Sequence, residues 1–219
     1  MRLLVSGTMK MVRTLAGRYA ANLGILLAPA NRNSVRSVVK LGLPWAVDNG
    51  AFSGFDEARF LRLLDRCQGQ PGCLFVVAPD VVVDAKATLA AWPWWSVLIR
   101  ARGLPVAFVG QDGQESLPLP DDLDAYFVGG STRWKLSQVS ADLCTEARRR
   151  GCHVHVGRVN SLRRLRTAFD FGADSCDGSG YSRFAAVARS KGRTDMLLER
   201  HLDFLEQLER ERIEQPTLF

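Results

Sequence analysis

Eight short apolar runs recur along the chain, at Leu3–Val5, Gly24–Leu27, Trp45–Val47, Leu74–Val77, Val106–Val109, Ala125–Val128, His153–Val156 and Asp174–Cys176. Runs this short, bounded by Gly, Pro and polar residues, read as buried strands. The segments between them carry a helical period. Phe60, Leu61 and Leu64 mark one apolar face, and Leu162, Leu165 and Phe169 another. Asp56 and Ser161 are N-terminal helix signals ahead of those faces. Strands alternating with helices imply parallel pairing. Eight such units predict an α/β fold, a compact (β/α)8 barrel of the TIM type. An open doubly wound sheet is the architectural alternative. No G-x-G-x-x-G follows the first strand, which weakens a dinucleotide-binding reading. One barrel domain is expected over residues 1–213. Gln111–Asp121 reads as a flexible polar cover. A charged helix from about Thr194 to Ile213 precedes a short tail, 214–219.

In such barrels the chemistry gathers where strands end and loops begin. Those positions hold Asp48, Asn49 and Phe52 after the third strand, and Asp80 after the fourth. Gly110 and Gln111 follow the fifth, Gly129, Gly130 and Ser131 the sixth, and Gly157 and Arg158 the seventh. Asp177 follows the eighth. Each also has a structural reading. Asp48-Asn49-Gly50 is turn chemistry, Asp80 is a possible helix N-cap, and Gly129-Gly130-Ser131-Thr132 is a turn followed by a cap. Asp174, His153 and His155 read as strand residues. The shared position at successive strand ends favours a site. Asp48 and Asp177, from distant parts of the chain, suggest a carboxylate pair of the kind that cleaves glycosidic bonds.

Composition adds limits. With 47% hydrophobic and 24% charged residues, a chain of 219 residues can bury one sizeable core. No apolar run has the length of a membrane span and no secretory signal opens the chain, so a soluble cytoplasmic protein is expected. The five cysteines form no Cys-x-x-Cys pair and no Cys/His cluster, which argues for buried thiols rather than zinc or disulfides. Strand alternation would send Cys152 and His153 to opposite faces. The net charge of +6 is mostly arginine and suits a phosphate-rich partner. The run Arg148-Arg149-Arg150 reads as a solvated helix end. Trp92-Pro93-Trp94-Trp95 reads as packing outside the barrel.

From about Leu23 to Phe184 the chain resembles the tRNA-guanine transglycosylase superfamily, and most of all its DpdA-type members, which place 7-deazaguanines in DNA. Asp48-Asn49-Gly50-Ala51-Phe52 resembles that family's Asp-Ser-Gly-Gly-aromatic segment. The likeness implies Asp48 as general acid/base and Phe52 as the ring that stacks on the base. Ala78-Pro79-Asp80 and Val109-Gly110-Gln111 resemble segments that contact the base's polar edge. Phe127-Val128-Gly129-Gly130 resembles a turn whose backbone binds it, and Val156-Gly157 falls at the second wall of the slot. Gly172-Ala173-Asp174-Ser175-Cys176-Asp177 is similar to the segment ending in the nucleophile, which implies that role for Asp177. Apart from the likeness, Arg158 and Arg183, arginines around the mouth, are the expected phosphate contacts.

The resemblance implies exchange of guanine in DNA for a 7-deazaguanine such as preQ0, through a covalent glycosyl-enzyme. No cofactor and no metal are expected. The zinc subdomain of the tRNA enzymes has no counterpart after Asp177, which favours DNA over tRNA. The same exchange on tRNA, and a non-catalytic DNA-binding barrel or subunit of a modification complex, are the alternatives. Gln215-Pro216-Thr217-Leu218-Phe219 resembles peptides that dock on bacterial sliding clamps. That likeness implies contacts through Gln215, Leu218 and Phe219.

Overall fold

The computed structural model describes residues 1–6, 9–30, 33–181 and 196–214. Eight parallel strands close into a barrel in chain order. They are β1 (Arg2–Val5), β2 (Leu23–Leu27), β3 (Trp45–Val47), β4 (Cys73–Val77), β5 (Val106–Gly110), β6 (Ala125–Val128), β7 (His153–Val156) and β8 (Ser175–Asp177). The seam joins β1 to β8 through Leu3↔Cys176 and Leu4↔Asp177. Each expected strand falls within a residue or two of its place. The one that matters for the site is β8, which starts one residue later than the pattern implied and ends on Asp177 itself.

Period-two alternation sorts the strand side chains into two cores. Leu4, Leu26, Ala46, Phe75, Val77, Ala107, Val109 and Ala125 fill the barrel interior, with Phe127 packed against them. Leu3, Ile25, Trp45, Val76, Phe108, Tyr126, Val154 and Val156 face the surrounding helices. The interior is narrow, so small residues recur there. A Cβ on Gly24 would sit 2.5 Å from the Leu4 side chain.

The outer ring includes α1 (Met9–Tyr19), α2 (Val35–Val39), α3 (Glu57–Cys67), α4 (Ala85–Arg100), α5 (Thr132–Lys135), α6 (Gln138–Arg149), α7 (Leu162–Asp170) and α8 (Met196–Glu214). Local signals start them: Asp56 accepts the Arg59 N–H at 3.0 Å, and Ser161 accepts that of Arg164 at 3.3 Å. The cap of α4 is Asp84, not Asp80, which leaves Asp80 for other work. Trp92 and Trp95 are buried in the outer layer and Trp94 is exposed, so the tryptophan cluster packs outside the barrel. Arg149 and Arg150 pair with Glu146, and Arg148 with Asp174, at the end of α6 away from the strand ends that carry the site. All five cysteines are free thiols.

The segment Gln111–Asp121 is pinned rather than a loose cover. Gln114 is fully buried and bonds the Leu117 and Pro118 carbonyls. Asp112 takes both the N–H and the hydroxyl of Ser131, and Glu115 takes the indole N–H of Trp134. Arg183 and the tail residues Gln215, Leu218 and Phe219 lie outside the described residues; Glu214 closes α8. Among the described residues no helix is long and apolar enough to cross a membrane.

Candidate active site

The C-terminal ends of the strands surround a cleft of about 540 Å³, including the space open to solvent. Its walls carry Asp48, Asn49, Phe52, Asp80, Gln111, Gly129, Gly130, Arg158 and Asp177, with Val77, Val82, Val109 and Phe127 as the apolar part. Most of the residues expected at the mouth therefore meet in one place.

Asp48 ends the β3 run and Gly50, at φ 80°, turns the chain back. The carboxyl of Asp48 accepts the Gly50 N–H at 3.2 Å. Burial, and then the nearby charge of Asp177, push its pKa up to about 6. The turn continues into Ala51–Ser53, which holds Phe52 70% exposed at the rim. The Arg158 guanidinium lies over that ring, 5.0 Å from its centre. Arg158 itself has φ 60°, a left-handed conformation rare outside glycine, and donates to the Gly130 carbonyl.

Asp80, Asn49 and Gln111 form a closed network. The Asn49 amide donates to one oxygen of Asp80 at 2.7 Å, and the Gln111 amide to the other at 2.6 Å. Burial raises the pKa of Asp80, while these two donors oppose the shift. Asn49 also donates to the Ala78 carbonyl and accepts the Ala51 N–H, so it ties the β3 and β4 loops together. It was among the strand-end residues, but nothing in the sequence signalled this bracing role.

Two expectations change at the sixth and seventh strands. The backbone N–H of Gly129 donates to the Gly110 carbonyl at 2.9 Å, and that of Gly130 to Gln111 Oε1 at 2.9 Å. Neither amide is left to bind a ligand. The glycines are needed for space: a Cβ at Gly129 would meet Val109 at 2.7 Å, and one at Gly130 would meet Trp134 at 2.7 Å. Val156 does not reach the cleft, because alternation along β7 turns it into the outer layer. Gly157 stands behind the wall, where a Cβ would meet Phe127 at 2.7 Å and Asp177 Oδ1 at 3.3 Å.

Asp177 closes the far side. Its Oδ1 accepts the Arg158 backbone N–H at 3.2 Å and lies 3.1 Å from His155 Nε2. His155 is fully buried, and burial lowers its pKa despite the hydrogen bond to Asp177. A second buried group stands nearby. Lys135 donates to the Gly157 carbonyl at 2.5 Å, and burial followed by the Arg158 charge depresses its pKa to about 7. Sequence reasoning placed His155 in the strand and passed over Lys135. The alternation that puts His155 inside the barrel was available, but its partner on β8 was not. Among the described residues, no three His, Cys, Asp or Glu side chains converge as a metal site.

No family model matches the chain, and no curated protein matches it. Solved structures do. One is mandelate oxidase with 3,3-difluoro-2-hydroxy-3-phenylpropionic acid, 15% identical with a TM-score of 0.57, covering 97% of this chain and 73% of that one. The native KDPGal structure is 12% identical with a TM-score of 0.59, covering 97% and 95%. A cube-shaped protein cage designed by fusing symmetric oligomeric domains is 13% identical with a TM-score of 0.55, covering 98% and 76%. The chain has the (β/α)8 TIM-barrel fold. At these identities the likeness speaks to architecture and leaves the chemistry to the cleft.

Proposed function

We propose that this chain is a DNA-guanine transglycosylase, exchanging guanine in DNA for a 7-deazaguanine through a covalent glycosyl-enzyme. The observation that carries the reading is a matched carboxylate pair in one cleft. Asp48 is held protonatable at about 6, and Oδ1 of Asp177 accepts the Arg158 backbone N–H and lies within hydrogen-bond distance of His155 Nε2. A carboxyl tuned towards neutrality is suited to give and take a proton, and an anchored partner carboxylate is suited to attack.

In this reading the target nucleotide is extruded into the cleft, because C1′ is shielded in a duplex. Phe52 stacks on the base and Arg158 meets phosphate beside it. Asp80, oriented by Asn49 and Gln111, accepts N–H groups of the base edge. The glycine pair supplies room rather than donors. Asp177 attacks C1′ as the bond to guanine N9 breaks, and Asp48 gives its proton to the leaving N9. The incoming base returns a proton to Asp48 as its own N9 displaces Asp177, so protons balance over the cycle and the configuration at C1′ is retained.

The test is incubation with labelled guanine and either DNA or tRNA. Label should enter DNA, Asp177→Asn should abolish entry, and the parent should form a denaturant-resistant adduct that this variant lacks. Label entering tRNA alone would reassign the substrate. Full exchange by Asp177→Asn would remove the nucleophile assignment. The proposed clamp contact through Gln215, Leu218 and Phe219 is separable: titration with a sliding clamp should lose its heat in a Leu218→Ala/Phe219→Ala variant.

A further inference from the structure

Four side chains on β7 and β8 form a continuous polar line beside the apolar residues of the barrel interior. His153 Nε2 lies 2.7 Å from Ser175 Oγ. Ser175 Oγ lies 2.8 Å from His155 Nδ1. His155 Nε2 lies 3.1 Å from Asp177 Oδ1. Parallel pairing with His155 opposite Ser175 makes the contact possible, and alternation brings all four to the same face. The His155 ring is clamped as well. Phe127 stacks on it at 4.7 Å, and Phe75 meets it edge-on at 5.1 Å.

The line has one direction. An ionised Asp177 can only accept, so His155 Nε2 carries the hydrogen. Burial keeps His155 neutral, as the lowered pKa indicates, so its Nδ1 has no hydrogen and must accept. Only the Ser175 hydroxyl can donate to it, and the Ser175 oxygen in turn accepts from His153 Nε2. The pKa of His153 is likewise lowered by burial, to about 4. Every hydrogen therefore points towards the cleft. A hydrogen-bonded polar chain is a costly way to fill a barrel that Leu and Val fill elsewhere.

We infer that His155 is a positioning residue for Asp177, holding Oδ1 with the Arg158 N–H so that Oδ2 meets the substrate, with Ser175 and His153 fixing its tautomer. The inference rests on the reading of Asp177 as the reactive carboxylate. When Oδ2 bonds to C1′, Oδ1 becomes the ester carbonyl oxygen and keeps the imidazole N–H. The same donor then stabilises the carboxylate as it leaves. Among the described residues, the charged and titratable groups facing this unit include Asp48 across the cleft, Lys135 beside His155, Tyr181 and Cys176 near Asp177, and Asp174 and Arg2 around His153.

Two variants and two readouts test it. His155→Leu removes the donor, and His155→Gln offers an amide N–H in its place. In guanine exchange, His155→Leu should lower kcat by about 100-fold with little change in KM, the scale of losing one preorganised donor. His155→Gln should recover most of that loss. Independently of activity, 15N spectra of the parent should show neutral His155 with hydrogen on Nε2. Unchanged exchange in a folded His155→Leu would overturn the inference while leaving the transglycosylase reading standing. If the parent exchanges no guanine, that reading fails and the spectra decide alone. An Nδ1–H tautomer then overturns the anchoring.

Discussion

Gln111 Oε1 accepts the backbone N–H of Gly130 at 2.9 Å across the strand-end loops, and the same oxygen takes the N–H of Val83 at 2.9 Å. The amide nitrogen of that side chain holds Asp80. One buried side chain thus locks the loops after β4, β5 and β6 to one another. Its polar atoms face protein partners, and its role is to hold Asp80 in place for a ligand.

Gln111→Leu should therefore destabilise the fold as well as the site. It strands two backbone N–H groups and removes a donor from a buried carboxylate. Unsatisfied buried groups cost about 1–3 kcal/mol each. Urea unfolding should show a loss on that order, and a midpoint equal to the parent's would mean that water replaces the side chain without penalty.

Asp48→Asn should stabilise the chain at pH 8 and change little at pH 4. Asp48 gains its proton at about 6 when folded, against 3.8 ordinarily. Between those values the folded state binds more protons than the unfolded one. Stability falls as pH rises through the window, and the full cost stands above about 6. That cost is on the order of 1–3 kcal/mol at neutral pH. Melting curves of both proteins at the two pH values should diverge only at the higher one, while the variant loses guanine exchange. An equal offset at both would show that Asp48 titrates normally.

Phe52→Ala should separate binding from stability. The ring is 70% exposed, so its loss should move unfolding free energy by no more than about 0.5 kcal/mol. Stacking on a base is worth about 1–3 kcal/mol, so affinity for single-stranded DNA should fall by one or two orders of magnitude. Unchanged affinity would place the nucleic acid elsewhere on the barrel.

The amino-acid sequence by itself determined the eight strands, several helix starts and the collection of polar residues at strand ends. These are local properties: a three-residue apolar run, a cap such as Asp56 or Ser161, and a Gly after Asp48 act over a few positions. Asp48, Asp80, Gln111 and Asp177 were legible for that reason. Tertiary structure alone decided what each group bonds. Pairing of β7 with β8 sets the register that puts Ser175 beside His155, and no local pattern carries that register. Burial, which depends on the closed barrel, raises Asp48 and lowers Lys135 and His155. The Gly129 and Gly130 amides looked available in the sequence because backbone donors have no residue signature. Only the packed loops show them engaged by Gly110 and Gln111.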